Sequence, residues 1–443
     1  MALDENQSGP GGGRSPDSDI PGTATVEDEV DTQVSSSPDA ADATDSLGGY
    51  IRLIGKRVRS GESGVLPVLG GLILLVIIFQ IQDTVFLSAG NLVNLLVQGS
   101  VFVLLGMAEI WVLVLGEIDL SVGYVAGIGG TVTAILSTTH GLPWYVAVAG
   151  GMVTTGLIGA LWGVLVIRLR LPSFVVTLAG LLGMEGVLLY LVNANGTGGT
   201  IRITSSVLLD IANGNMSNIA GWIVMILTVA GFGAITVLRD RHRRVNGLVA
   251  PPLPITAVKV AVMAVAGVVL VLVCNTDRGV LVPVQGVPWV VLVVLGFLAL
   301  WSFLLGRTRF GRYLYAIGNN AEAARRAGIS LGWNKLWAFT LTGLTSGVAG
   351  VVYASRLGSI SNNIDGGTLV LYAVASAVIG GASLFGGRGK MVYALLGGLV
   401  IATIYNGMGL LGLAASYQYM VTALVLLAAV TIDSLARRGT TST

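Results

Sequence analysis

Charge-free apolar stretches of about 20 residues recur along this chain, and a helix of that length crosses the ~30 Å hydrocarbon core of a bilayer. The first covers 65–81, between Glu62 and Asp83. The second runs over 92–116 and is interrupted by Glu109. Forty-eight uncharged residues separate Asp119 from Arg168, and the turn His140-Gly141-Leu142-Pro143 divides them into spans near 120–138 and 144–167. The next begins at Pro172, ends near 193 and contains Glu185. A polar loop over 193–218 precedes spans near 219–238, 254–274, 286–306, 336–355 and 368–387. Forty-two uncharged residues between Lys390 and Asp433 hold two more, near 391–409 and 416–433. The pattern predicts an all-α polytopic membrane protein of about 12 transmembrane helices.

Charge orients those spans. An even number puts both termini on one side. With N- and C-termini cytoplasmic, 21 of the 24 bases beyond residue 49 fall in cytoplasmic segments or, for Lys259 and Lys335, at cytoplasmic span ends. Arg202, Arg278 and Arg356 are left outside. Short cytoplasmic loops concentrate Lys and Arg, and a span missed in mid-chain would invert every later segment. The expected location is a cell membrane crossed many times, with both termini on the cytoplasmic side.

Composition agrees. Of 443 residues, 53% are hydrophobic and 11% charged, where a soluble domain has about 25% charged. The mean hydropathy is +0.82. One cysteine, Cys274, excludes an intrachain disulfide or a thiolate cluster. Two histidines, His140 and His242, fall in separate loops, so neither a histidine-rich metal site nor a His-dependent catalytic site is expected. Gly389-Lys390 lacks the glycine and hydroxyl of a phosphate-binding loop, and Gly328-Ile329-Ser330-Leu331-Gly332 follows no strand, so it is no nucleophile elbow. The chain is expected to be no enzyme and to bind no cofactor; ATP, if it drives transport, is used by a partner.

The net charge of +2 hides a division. Residues 1–49 carry eleven acids against Arg14, which leaves 24 bases and 12 acids for the rest. That first segment has too few large apolar residues to offset its ordering entropy and reads as a disordered acidic cytoplasmic tail. The domain plan is this tail, a transmembrane domain over 50–435 and a cytoplasmic C-terminal tail over 436–443. Nothing in it implies a nucleic-acid partner.

Gly123xxxGly127, Gly159xxxGly163 and Gly343xxxGly347 set small residues one turn apart, which permits close helix crossings where lipid supplies no hydrophobic drive. Charges at membrane depth are the candidates for function. In Gly116-Glu117-Ile118-Asp119-Leu120-Ser121-Val122-Gly123, two carboxylates and a serine sit between glycines at the junction of two spans. Asp119 or Ser121 is expected to cap the following helix, with Glu117 facing the interior. A structural cap and a polar hinge on a solute path both fit these residues. Glu109 and Glu185 read as structural partners of neighbouring amides. Tyr405 and Asn406, in a late span, add an aromatic face and an amide suited to a polyhydroxylated solute, as Asn362, Asn363 and Asp365 do in an outer loop.

The longest cytoplasmic connection, Arg307 to Trp333, contains a short capped helix. Asn320 fits its N-cap, Ala321 and Glu322 its first turn, Ala324 its middle, Arg325 and Arg326 its last turn, and Gly328 its C-terminal cap. The alanines form a smooth face suited to a groove on a partner.

GEIDLSVG at 116–123, GNNAEAARRAGI at 318–329 and VIGGASLFGGRG at 378–389 resemble the ribose/xylose-type permeases of bacterial monosaccharide ABC importers. The resemblance runs from about residue 90 to 435, and the added charged loop and span near 239–274 bring it nearer the xylose type. It implies a permease subunit that carries a pentose such as xylose and pairs with a second permease copy. It also implies an ABC ATPase at the cytoplasmic face and an extracytoplasmic sugar-binding protein. By position, residues 320–329 match the family's ATPase-coupling helix. The family usually has glycine where this chain has Glu117. An ion-coupled secondary transporter of a small polar solute is the alternative, its buried carboxylates carrying protons.

Overall fold

The computed structural model describes residues 66–246, 251–279 and 282–440. The acidic segment 1–49 lies outside the described residues. The first half comprises α1 (Leu66–Gln82), α2 (Ala89–Leu113), α3 (Val122–Ala134) with a π turn at Ile135–Thr139, α4 (Trp144–Leu169), α5 (Ser173–Asn195), β1 (Thr200–Arg202), α6 (Ser206–Asn213) and α7 (Asn218–Val245). Then come α8 (Leu253–Asn275), α9 (Trp289–Arg307), α10 (Arg309–Asn319), α11 (Ala321–Arg326), α12 (Leu331–Leu357), β2 (Ser359–Ser361), α13 (Gly366–Ile379), α14 (Met391–Leu410) and α15 (Ala415–Thr440).

Among the described residues nine helices are long and apolar enough to cross a membrane, namely α2, α3 with its π turn, α4, α5, α7, α8, α9, α12 and α14; α1 and α13 are shorter apolar helices. Most of the expected spans up to 409 coincide with these helices to within about three residues; α7 runs on to Val245 and α12 starts at Leu331, and one exception is informative. The span expected to reach 387 stops at Ile379, because Gly380 packs its Cα side on the Tyr393 backbone and Gly381, Gly386 and Gly387 take positive φ. Two elements were not visible in the pattern. The loop over 193–218 folds into β1 and α6, and β1 pairs antiparallel with β2 through Ile201 and Ile360. The connection after Arg307 folds into α10, which buries Leu314 and Ile317 and is capped by the Thr308 hydroxyl at 3.2 Å from the Gly311 N–H.

Helix α2 is the axis of the molecule. Twenty of its 25 residues are buried, and α12, α14, α13 and α9 pack around it. Trp111 of α2 meets Trp301 of α9 edge to face at 5.5 Å. By contrast α7 and α8 bury three and four residues and pack mainly on each other, with Asp240 of α7 taking a 2.6 Å bond from the Thr256 hydroxyl of α8. Their outer faces are apolar, as lipid contact requires.

The small-residue spacing serves packing. Gly159 of α4 and Gly343 of α12 face each other, and a Cβ on either would overlap a backbone carbonyl oxygen of the opposite helix. Gly347 packs on Thr155 and Gly129, and Gly350 on the Ala126 carbonyl. Gly123 abuts the Gly366 carbonyl, while Gly127 and Gly163 contact side chains or Cα atoms at a wider spacing. Gly343→Ala is expected to destabilise the bundle by about 1–3 kcal/mol through overpacking. Gly183→Ala, which points into open space, serves as control. The reading is the thermal midpoint in detergent; equal midpoints for the two variants would refute the close crossing.

Candidate functional site

The three motifs of the sequence meet at one place. The segment 114–121 interrupts the chain between α2 and α3, and 380–390 interrupts it between α13 and α14. Irregular backbone packed inside a bundle persists only where protein supplies its hydrogen bonds. Here the two interruptions supply each other: the Gly387 N–H donates to the Val114 carbonyl at 2.9 Å. Gly318, at the end of α10, packs against the backbone of both Val114 and Gly387, and Gly386 lies against Gly116 N and the Gly318 carbonyl. Gly116 has φ +78 and Gly386 φ +86, so side chains are disfavoured by conformation as well as by space. The Tyr315 hydroxyl of α10 bonds the Gly389 carbonyl. Glycine is what lets three backbones share this junction.

The remaining groups of 114–121 are held by α5. The Ser173 hydroxyl accepts from the Ile118 N–H at 3.3 Å, and the Thr177 hydroxyl accepts from the Leu120 N–H at 3.0 Å. Asp119 is 1% exposed. Its Oδ1 accepts from the Ser121 N–H at 2.9 Å and from the Ser121 hydroxyl at 2.6 Å. Ser121 occupies the N-cap of α3, yet its hydroxyl makes no capping bond; it is spent on Asp119. Glu117 does not face the interior. It forms an ion pair with Lys335 in the first turn of α12, both side chains part-buried. That pair fastens the interruption to the helix that follows the short helix α11.

Helix α11 is built as its residues predict. The Asn320 side chain accepts from the Ala323 N–H at 3.0 Å. Glu322 pairs with Arg325 at 2.9 Å and Arg326 at 3.2 Å, and Gly328 takes φ +80. The alanine face is divided: Ala324 is buried against the bundle, while Ala321, Ala323 and Ala327 are exposed. Ser330 of the rejected GxSxG pattern is the N-cap of α12.

Tyr405 and Asn406 lie elsewhere. Residues 91 and 113 of α2 are 22 positions apart, about 33 Å at 1.5 Å per residue. Glu117, Asp119 and Ser121 follow the Leu113 end, and Asn406 is at the Asn91 end. There the Asn91 and Asn406 amides bond reciprocally at 2.8 and 3.0 Å, and Asn406 also donates to Gln98 at 3.3 Å. Tyr405 stacks edge-on with Phe102 at 5.7 Å and Tyr372 at 6.1 Å. Asp365 caps α13 nearby. Its partial burial would raise the carboxyl, but bonds from the Thr368 hydroxyl and N–H and the Tyr419 hydroxyl outweigh this and hold it below the usual carboxylate range. Glu185 faces the Tyr124 hydroxyl. Glu109 is fully buried in α2, with the Asp119 backbone N–H as its nearest amide partner. No group of three or more metal-ligating side chains occurs among the described residues.

Sequence reasoning missed Lys335, Ser173, Thr177 and Tyr315 as members of the junction. Lys335 had been placed at a span end, a signal that a carboxylate two hundred positions away does not share. Serine and threonine in an apolar span announce nothing, since they bond the i−4 carbonyl equally well.

A bundle with nine helices, among the described residues, long and apolar enough to cross a membrane is, in class, a multi-pass membrane protein. Comparison gives the family: the description "Branched-chain amino acid transport system / permease component" matches residues 91–430. The chain belongs to that family. It is similar to the xylose transport system permease protein of Haemophilus influenzae, 38% identical over 80% of this chain and 91% of the relative. Its similarity to the xylose transport system permease protein of Escherichia coli is 35% over 80% and 88%. The ribose import permease protein of Escherichia coli is 31% identical over 82% of this chain and 92% of its own. No solved structure matches.

The junction yields a double-mutant test. Glu117→Gln and Lys335→Gln are each expected to lower the stability of the bundle. The exchange Glu117→Lys with Lys335→Glu should recover part of the loss, with a coupling of about 1 kcal/mol for a partly exposed pair. Additive single effects in the cycle would remove the pair from the junction. Asp119→Ala strands the Ser121 N–H and hydroxyl and is expected to lose about 1–3 kcal/mol, read as a lower yield of folded protein; wild-type yield would make Asp119 incidental.

Proposed function

We propose that the chain is the membrane-spanning permease subunit of an ATP-driven importer of a monosaccharide, a pentose such as xylose in the first instance. The observation that carries this is the junction under α11. The segments 114–121 and 380–390 are in backbone contact with each other and with Gly318 at the end of α10, two residues before Asn320, the N-cap of α11, so a push on α11 passes through α10 to both segments. The similarity to xylose and ribose permeases along four-fifths of the chain supports the solute class.

The finer topology belongs to the same proposal. About 12 spans with both termini cytoplasmic put α11, Arg325 and Arg326 on the inner face and the β1–β2 pair outside. An ABC ATPase on a separate subunit then docks at α11 and at the neighbouring Phe385, which is 62% exposed, and an extracytoplasmic sugar-binding protein delivers solute at the sheet end. This chain binds no cofactor in that scheme. Pairing with a second copy of the chain is tested by the mass of the purified assembly, one permease mass or two.

One observation favours the ion-coupled alternative. A fully buried carboxyl, Glu109, is what a proton-carrying site looks like in a membrane bundle. Reconstituted vesicles separate the two. Uptake that requires the partner ATPase and ATP supports the importer; uptake by this chain alone under a proton gradient overturns it. Replacing 320–328 by a Gly/Ser segment is expected to abolish co-purification of the ATPase while membrane insertion stays normal. Retained co-purification would take the docking role away from α11.

A further inference from the structure

At the end of the molecule opposite α11, a cavity of about 400 Å³ opens between α2, α6, Arg278, Val284, Pro288 and the end of α12. Its volume lies in the range of small-molecule sites, about 300–1,000 Å³. Val93 and Val97 form an apolar wall, and Asn94, Asn213, Asn215, Arg278 and Arg356 bring the polar groups. Arg278 and Arg356 are two of the three bases that the charge distribution leaves on that side of the membrane. No carboxylate lines the cavity among the described residues.

The hydrogen-bond account shows which groups are already committed. Arg278 is spent: it donates to the Cys274 carbonyl, to the Gly286 carbonyl at 3.2 Å and to Asn215 Oδ1 at 3.3 Å. Asn213 donates its Nδ2 to the Ser355 carbonyl at 2.7 Å, which leaves its Oδ1 to accept. Asn215 has used its Oδ1 on Arg278, which leaves its Nδ2 to donate. The side chains of Asn94 and of half-buried Arg356 make no hydrogen bond or ion pair among the described residues. The uncommitted set is therefore mixed, with donors on Arg356, Asn215 and Asn94 and acceptors on Asn213 and Asn94. An anion asks for donors only. A hydroxyl donates and accepts at once, so vicinal hydroxyls match the mixed set.

We infer that this cavity is a receiving site for a neutral polyhydroxylated solute of monosaccharide size, anchored by Arg356 and oriented by Asn94, Asn213 and Asn215. The inference rests on the importer reading for its choice of solute. The site differs from the glycine junction at the other end of the molecule, and Arg356 lies close enough to Tyr405 to interact with it electrostatically. It gives the permease its own hold on the solute before the path opens.

The test uses the full chain in lipid nanodiscs with D-xylose as probe, followed by saturation-transfer NMR, which detects weak binding. Wild type is expected to give saturable transfer to the sugar protons. Arg356→Ala should raise the apparent Kd about tenfold, the effect of one charge-assisted hydrogen bond. Asn94→Ala, at an exposed position with no bonds to lose, should raise it by a smaller factor and guards against misfolding of the arginine variant. Absence of saturable transfer in wild type, or unchanged Kd in both variants, overturns the site. Displacement of the sugar by inorganic phosphate marks an anion site and overturns the polyol assignment. Uptake of xylose by wild type with its ATPase and binding protein is measured in parallel. Uptake without cavity binding sinks this inference alone, and cavity binding without ATP-dependent uptake sinks the importer reading alone.

Discussion

A peptide bond inside a membrane bundle has no water to fall back on, and that constraint organises this protein. Two connections between its helices, 114–121 and 380–390, pack into the end of the bundle, and each carries backbone N–H and C=O groups that a helix would have satisfied. The chain answers by bringing the interruptions together. Gly387 donates to Val114, the α5 hydroxyls of Ser173 and Thr177 take Ile118 and Leu120, and Asp119 takes Ser121. Only glycine lets Gly116, Gly318 and Gly386 approach closely enough to close the account.

The position of α2 follows from that closure. Its Leu113 end leads into the first interruption, and its Asn91 end is clamped to α14 by the reciprocal amide pair. A helix buried on nearly every side transmits displacement as a rigid body, because a close-packed interior resists local adjustment. The two ends of the molecule thus carry different chemistry on one shaft: an ion pair and glycine contacts beside α11, amides, tyrosines and two arginines toward the sheet. The peripheral pair α7 and α8 stands apart from this, joined to the rest by few contacts and facing lipid.

Much of this was legible in the residues. Apolar length located the spans, since a bilayer sets helix length directly. Asn320, Glu322 and Gly328 announced α11, because capping is settled by neighbours within four residues. The glycine spacings announced crossings, though not their partners. The same local logic failed at Ser121, which reads as a capping hydroxyl until Asp119 is seen to claim it. It failed for Glu117, expected in the interior and found on Lys335.

Periodicity and hydropathy are properties of segments, so the chain alone indicated which stretches form apolar helices and where α11 begins and ends. Contacts between residues hundreds of positions apart are not properties of segments. That three separate motifs form one glycine junction, that a lysine answers Glu117, and that Asn94, Asn213 and Arg356 share a cavity were decided when the helices packed, because only the crossing angles and the close approach of backbones bring those groups within hydrogen-bonding reach.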